Sequence, residues 1–209
     1  MHTEIFQTLE SETPIAMSIQ NRIKDYIVSA SGIRAIFAAD NNENSGVGEI
    51  TLPDRIIAGL FALSYCRFMQ KRIGKPGPVV AMGSDSRPTG TAIGGTALRV
   101  LLAQGMNVRY CGILPSPAIM AYVGKSKDLD GFFYITASHN PVGHNGCKCG
   151  AEDGSVLSGK DSDELNSLSL SLVQDTEAIK EVTALMSADN DSLTQILSET
   201  ATWKTEADG

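Results

Sequence analysis

Apolar residues along this chain follow two alternating patterns, one typical of helices and one typical of buried strands. Ile15, Ile19, Ile23 and Ile27 recur at every fourth position, which predicts an amphipathic helix over 13–29. Similar spacing predicts helices over 53–72, 91–104 and 161–173, and a short one that runs toward Val123. Short apolar runs predict strands over 32–37, 78–82, 107–111 and 131–136. Because strands and helices alternate with short connections, the sequence predicts an α/β fold: a three-layer α/β/α domain with a mainly parallel, mixed sheet.

Length and composition bound the class of protein. The chain has 209 residues, of which 42% are hydrophobic and 20% charged, and its formal net charge is -7. No run of about 18 apolar residues occurs, so no membrane-spanning helix is predicted. The first residues lack the basic and apolar regions of a secretory signal. The four cysteines do not have the spacing of a disulfide framework, so we expect reduced thiols and a cytoplasmic protein.

Charge is divided unevenly between the two ends of the chain. Residues 1–150 carry 14 Lys and Arg against 11 Asp and Glu, whereas residues 151–209 carry 3 against 13. The mildly basic first part suits small anionic ligands, but its charge is too weak to indicate a nucleic-acid partner.

The segment with the most chemistry follows the apolar strand that ends at Ile135. It runs Thr-Ala-Ser-His-Asn-Pro over 136–141 and continues to Lys148. Loops after the carboxyl ends of strands bind ligands in α/β sheets, so Ser138 is placed to present its hydroxyl to a cleft. If the chain is extended after Gly146, Cys147 and Cys149 point to one face and Lys148 to the other. We therefore expect Lys148 to face the cleft.

Several segments together resemble the α-D-phosphohexomutases, the phosphoglucomutase/phosphomannomutase family. Thr-Ala-Ser-His-Asn-Pro followed by Asn-Gly-x-Lys is similar to the phosphoserine motif of that family. Ser31-Gly32-Ile33-Arg34 resembles its early G-I-R-G motif, 83–90 resembles its G-x-D-x-R-x-S-G motif, and 115–117 is close to its P-T-P turn. The segments occur in family order over 31–150. The resemblance implies that 1–172 form the family's first domain and that 173–209 are an acidic C-terminal segment or the start of a linker.

The resemblance also implies a role for each matching residue. Ser138 corresponds to the serine that is phosphorylated in the resting enzyme and that contacts Mg²⁺ through a phosphoserine oxygen. Lys148 corresponds to the lysine that exchanges a proton with the sugar hydroxyl, and Arg34 is its cationic neighbour and a brace for the phosphoryl group. The implied catalytic set is Ser138, Lys148, His139 and Arg34, and the implied substrate-binding residues are Asn140 and Arg87. Asp85 and Arg87 are further expected to support the loop that holds Ser138.

The activity implied by the resemblance is an isomerisation. Hexose 1-phosphate and hexose 6-phosphate interconvert through a hexose bisphosphate, with no nucleic-acid or membrane partner. The chain has no Asp-x-Asp-x-Asp metal loop, no Gly-Glu-x-Ser-Gly sugar loop and no Arg-x-Ser-x-Thr phosphate loop. We therefore expect a fragment that is nearly inactive alone. The alternative is a truncated, non-catalytic relative that binds a phosphosugar or a protein.

Two other chemistries fit some of the same residues less well. His139, His144, Cys147 and Cys149 have zinc-ligand side chains, but their spacing lacks a second pair of ligands. A serine–histidine hydrolase is the second of these alternatives. However, Ser138 and His139 are adjacent and cannot easily align as nucleophile and base, and the G-x-S-x-G elbow is missing.

Overall fold

The computed structural model describes residues 12–30, 32–187 and 203–205. Its helices are α1 (Glu12–Arg22), α2 (Leu52–Ile73), α3 (Gly90–Ala103), α4 (Ser116–Lys125), α5 (Gly159–Gln174) and α6 (Thr176–Ser187). Its strands are β1 (Ile27–Ser29), β2 (Gly32–Ile36), β3 (Val79–Ser84), β4 (Asn107–Ile113), β5 (Gly131–Ile135), β6 (His144–Ala151) and β7 (Trp203–Thr205). Ser31 of the early motif, and 188–202 and 206–209 of the expected acidic segment, lie outside the described residues.

The strands form one mixed sheet in the order β1-β2-β6-β5-β3-β4-β7. β3 pairs in parallel with β4 and β5, and β4 pairs in parallel with β7. β2 pairs antiparallel with β1 and β6, and β6 pairs antiparallel with β5. Helices cover both faces, which confirms the prediction of a three-layer α/β/α fold. The parallel pairs occupy one half of the sheet and the antiparallel pairs the other.

The larger hydrophobic core surrounds α2 on one face of the sheet. Thr51 caps this helix by accepting a hydrogen bond from the backbone N–H of Asp54, and Gly74 ends it in a left-handed conformation with φ 67°. Helices α1, α3, α5 and α6 pack around α2, so its side chains are buried along most of its length. Each fully buried Leu, Ile or Phe contributes about 1.5–3 kcal/mol. This helix is therefore the centre of the fold.

The other face of the sheet is covered less completely. Helix α4 packs on β3 and β5, where Ile119 and Val123 contact Ala81 and Phe132. Along the neighbouring β2 and β6, side chains such as Arg34 and Lys148 stay partly exposed. The face that bears these cations is therefore open to a ligand.

The first predicted helix is shorter than its apolar spacing suggested. It ends at Arg22, a 3-10 turn (Ile23–Asp25) follows, and residues 27–29 form β1 instead. β1 pairs with β2, and the hydroxyl of Tyr26 donates to buried Asp54 at 2.9 Å. The β-branched residues at 27 and 28 favour a strand once a partner strand is available. Pairing with β2 therefore determines the structure of 27–29, and the helical spacing of the isoleucines does not.

The core continues beyond residue 172. In α6, Ala178 and Val182 are buried in the same cluster that surrounds α2. The described part of the acidic segment therefore contributes apolar contacts as well as charge. None of the helices that the structure describes has both the length and the apolar character needed to cross a membrane.

Candidate active site

Residues 136–143, here called the Ser138 loop, connect β5 to β6 at the carboxyl edge of the parallel strands. Ser138 and His139 are exposed at its tip. Ser138 has φ 58°, and among the described residues other than glycine only Asn41 shares a positive φ. This conformation costs a serine about 1 kcal/mol, so it persists only where surrounding contacts hold it.

Arg87, in the loop after β3, supplies most of those contacts. Its Nη2 donates to the carbonyl oxygens of Ser138 (2.9 Å) and Asn140 (2.6 Å). Its Nη1 donates to the carbonyl oxygens of Pro141 and His144, the second at 2.9 Å. Its Nε donates to Asp85 Oδ2 at 3.2 Å. A guanidinium has five N–H donors, so Arg87 as placed has none left for a substrate, which differs from the substrate contact that the motif implied.

Asp85 joins the Arg87 side chain to the end of β5. Its Oδ2 accepts a hydrogen bond from the hydroxyl of Thr136 at 2.6 Å, and the Thr136 oxygen accepts the backbone N–H of Ser138 at 2.9 Å. Thr136 is buried. Both the N–H and the carbonyl of Ser138 are thus fixed, while its side chain stays exposed.

A close approach of two backbones brings Arg34 beside the Ser138 loop. Arg34 lies opposite Gly146 in the pairing of β2 with β6, and the N–H of Thr136 donates to the Gly146 carbonyl at 3.0 Å. Since neighbouring strands are about 4.8 Å apart, Arg34 lies two strand spacings, about 10 Å, from the start of the loop. A Cβ at Gly146 would lie 2.0 Å from the Ile33 carbonyl oxygen and 3.0 Å from Cγ of Arg34. Only glycine fits there.

Arg34 and Lys148 are two cations that form no ion pair with the carboxylates of the described residues. In the described residues Arg34 has no ion pair, and its Nε is buried without a hydrogen-bond partner. Lys148 is two residues beyond Gly146 on the same face of β6 and is half-buried. Burial lowers the pKa of Lys148, and the charge of Arg34 lowers that pKa further, while Asp85 opposes the effect. The site is therefore suited to an anion.

The strand geometry confirms the predicted division of side chains along β6. Cys147 and Cys149 are buried against α2 on the opposite face from Lys148, and burial raises the pKa of both thiols. On the lysine face, Tyr134 lies directly opposite Lys148 in β5. The Tyr134 hydroxyl donates to the Leu114 carbonyl at 2.6 Å, and burial raises its pKa to about 12. Tyr134 therefore stays neutral beside Lys148.

Asn140 and His144 meet on the far side of the loop. The Asn140 amide nitrogen lies 3.4 Å from Nδ1 of His144, and Nε2 of His144 lies 3.6 Å from the Glu43 carboxylate. The Glu43 carbonyl accepts the N–H of Gly143 at 2.7 Å. His139 is exposed and makes no hydrogen bond with the described part of the chain. It is accessible for a phosphate or substrate contact.

The alternative chemistries are not supported by this geometry. The described residues hold no group of three His, Cys, Asp or Glu side chains that could bind a metal, which argues against the zinc site. The hydroxyl of Ser138 and the ring of His139 do not hydrogen-bond to each other, as a hydrolytic pair would. Magnesium takes about six oxygen ligands, and Ser138 offers one hydroxyl. The described residues alone therefore do not fit a magnesium site.

Two supports of the loop were missed by sequence reasoning. Thr136 lies inside the motif, but its buried hydroxyl bridge cannot be read from spacing. Glu43 belongs to 40–48, which the sequence indicates only as a polar loop. A Cβ at Gly143 would lie 2.1 Å from the Asn42 carbonyl oxygen, so this polar loop packs tightly on the Ser138 loop. In the sequence, the one indication of this packing is Gly143, which lies just before β6.

Comparison with known proteins places this domain. Residues 28–172 match the family model described as phosphoglucomutase/phosphomannomutase, alpha/beta/alpha domain I. A phosphoglucosamine mutase from Bacillus pumilus (strain SAFR-032) is 35% identical over 94 residues, which are 45% of this chain and 21% of that protein. One from Bacillus cereus (strain B4264) is 35% identical over 91 residues, 44% of this chain and 20% of that protein. The chain spans about a fifth of the length of these curated relatives.

A solved structure shows the same fold. A phosphoglucomutase/phosphomannomutase family protein from Burkholderia thailandensis aligns with a TM-score of 0.53 and 18% identity, covering 86% of this chain and 32% of that one. Members of the matched family are phosphotransferase isomerases that act on hexose phosphates. Because the family model covers well over half of its residues, the chain belongs to the phosphoglucomutase/phosphomannomutase family, whose α/β/α domain I it contains.

Proposed function

We propose that Ser138 is the phosphoryl carrier of a hexose phosphate mutase, with Arg34 and Lys148 beside it as phosphate ligand and proton donor. The observation that carries this proposal is the combination of an exposed serine on a rigid loop with two cations, on the strands beside that loop, that form no ion pair within the described residues. A guanidinium with a buried, unpartnered Nε suits a phosphoryl oxygen because it binds such groups with a planar fork.

The proposed step balances without a further reactant. The Ser138 Oγ attacks the phosphorus of a hexose bisphosphate, and the bond from that phosphorus to the sugar oxygen breaks. The Lys148 ammonium donates a proton to the leaving sugar oxygen, and the serine proton passes to solvent. In the reverse direction neutral Lys148 removes the hydroxyl proton, which a lowered pKa favours. The step depends mostly on position and charge.

The rest of the enzymatic function is a wider proposal. Enzymes of this family generally use Mg²⁺. Since the described residues do not gather its ligands, no step of the transfer is assigned to the ion. Mutase turnover and the choice of sugar also need contacts that these residues do not form, so we expect turnover of glucose 1-phosphate by this chain alone to be very low. A cytoplasmic location stays a prediction, supported by four free thiols.

Intact-mass measurement tests the carrier role directly. The chain is incubated with glucose 1,6-bisphosphate or mannose 1,6-bisphosphate in buffer containing Mg²⁺, and the mass is followed over time. We expect a gain of about 80 Da, one phosphoryl group, that maps to Ser138. Ser138→Ala should abolish the gain, whereas Ser158→Ala, at an exposed serine before α5, should leave it unchanged.

The outcomes separate the two functions considered. Transfer to Ser138 supports the carrier, and transfer to another residue contradicts it. If neither bisphosphate modifies the protein but both bind to it, the chain is instead a non-catalytic binding module, the alternative that the sequence left open.

A further inference from the structure

The contacts of Arg87 converge on the most strained residue of the site. Its guanidinium bonds the carbonyls of 138, 140, 141 and 144 and the carboxylate of Asp85. We call this set the Arg87 clamp. Arg87 follows β3, whereas the carbonyls that it binds lie between β5 and the first residue of β6. The clamp therefore ties together the ends of three adjacent strands around one serine.

We infer that Arg87, oriented by Asp85 and Thr136, is a positioning residue that holds Ser138 in the left-handed conformation from which its hydroxyl transfers the phosphoryl group. This inference rests on the proposed function. Of the two roles expected for Arg87, substrate contact and loop support, it retains the second and adds control of the Ser138 conformation, because every N–H donor of Arg87 is used within the protein.

Position matters here because the Ser138 hydroxyl makes no hydrogen bond, within the part of the chain that the structure describes, that would fix it. The hydroxyl is placed by the backbone φ of 58°, and the bonds to the N–H and carbonyl of Ser138 stabilise that φ. If those bonds are lost, a serine relaxes to negative φ, which moves its Cβ and Oγ out of the position that the loop gives them. A misplacement of about 1 Å can slow a transfer reaction by about 100-fold.

The clamp requires arginine for a geometric reason. A lysine has the same charge but only three donors on one nitrogen, so it cannot bond four carbonyls and a carboxylate from different directions. Arg87→Lys therefore keeps the positive charge and removes the hydrogen bonds that position Ser138. Thr136 provides a second, independent test, because its oxygen links the Ser138 N–H to Asp85 while Arg87 stays intact.

The experiment measures the rate constant of Ser138 phosphorylation by glucose 1,6-bisphosphate over a range of concentrations. For Arg87→Lys we expect the rate at saturation to fall by roughly 10- to 100-fold, with the half-saturating concentration unchanged, because Arg87 does not touch the substrate. Thr136→Val should show the same split, and Thr136→Ser, which retains the hydroxyl, should restore the wild-type rate. The matched control is Arg109→Lys, at an arginine that pairs with Asp128 far from the loop.

A second measurement follows the stability of the Ser138 loop. Hydrogen exchange of 137–144 should be faster in Arg87→Lys than in wild type, while exchange in α2 stays the same. If Arg87→Lys does not fold, the two Thr136 variants decide the question alone.

Three results would overturn the inference. A higher half-saturating concentration at an unchanged maximal rate would make Arg87 a substrate ligand. If the wild type is phosphorylated but the variants have the same kinetics or the same loop exchange as the wild type, the clamp has no catalytic effect. This result would contradict the inference and leave the proposed function intact. A wild-type chain that is never phosphorylated would remove the proposed function, and this inference with it.

Discussion

The two edges of the sheet hold cations in opposite settings. At the amino edge, an open cavity of about 720 Å³ near the ends of α2 and α3 is lined by Lys71 and Lys75. Lys71 lies 2.6 Å from Glu164 and Lys75 lies 3.1 Å from Asp130, so both charges are balanced. At the carboxyl edge, Arg34 and Lys148 form no ion pair with any residue that the structure describes. Unbalanced charge, and not the size of a concavity, distinguishes the candidate active site.

The backbone shows the same contrast. Three turns that line the cavity at the amino edge use glycine for their left-handed residues, Gly74, Gly77 and Gly105, with φ of 67°, 64° and 76°. Glycine adopts such angles at little steric cost. At the carboxyl edge a serine occupies the equivalent conformation. One edge is relaxed and the other is strained, and strain held in place by surrounding contacts is typical of functional sites.

The largest expected effect comes from adding a side chain at Gly146, where β6 approaches β2 beside Arg34. Gly146→Ala places a Cβ 2.0 Å from a backbone oxygen of β2, so the two strands must separate. We expect a loss of about 3 kcal/mol or more of unfolding free energy in urea denaturation, together with loss of Ser138 phosphorylation. The control is Gly95→Ala in α3, where a Cβ meets open space and should stabilise the helix by up to about 1 kcal/mol. Equal effects of the two substitutions would show that the close approach is unimportant.

The second effect concerns the unbalanced charge itself. Arg34→Gln removes the cation that lowers the pKa of Lys148, so that pKa rises toward its ordinary value. In transfer from bisphosphate to serine, the ammonium form is the donor and the rate falls as pH rises through this pKa. The falling limb should therefore move to higher pH in the variant. The rate at its maximum should decrease by about 100-fold, because a phosphoryl ligand is lost.

The control for this pH profile is Arg109→Lys, which leaves the surroundings of Lys148 unchanged. A falling limb that stays at the wild-type pH in Arg34→Gln would mean that Lys148 is not the titrating group.

Sequence reasoning predicted the strands and helices that local patterns determine. It placed Ser138 in a loop after a strand and Lys148 on the face of an extended segment opposite Cys147 and Cys149. It did not predict that Ile27 leaves the helical pattern to pair with β2, because that choice depends on a partner strand. It likewise gave Arg87 two expected roles, substrate contact and loop support. Only the directions of five hydrogen bonds distinguish them, and direction is a property of the folded loop rather than of the motif.

A smaller effect is expected from exchanging the backbone preferences of the two edges. Ser138→Gly relieves the positive φ and should stabilise the protein by about 1 kcal/mol relative to Ser138→Ala, while both abolish phosphorylation. The mirror substitution is Gly74→Ala at the relaxed edge, where a Cβ meets no atom but φ remains 67°. It should destabilise by about 1 kcal/mol. Thermal unfolding measures both. If Ser138→Gly is less stable than Ser138→Ala, the backbone of Ser138 is not strained.

The smallest effect is expected at the open cavity of the amino edge. The double variant Lys71→Gln, Lys75→Gln removes two exposed cations whose ion pairs are worth at most about 1 kcal/mol each. If unbalanced charge identifies the site, the rate of Ser138 phosphorylation and its half-saturating concentration should stay within about twofold of wild type, because screening at physiological salt limits the influence of these charges to about 8 Å. Kinetics at low and at physiological ionic strength check this. A tenfold higher half-saturating concentration in the double variant would place phosphosugar binding at the amino edge. Unbalanced charge would then not be what identifies the binding site.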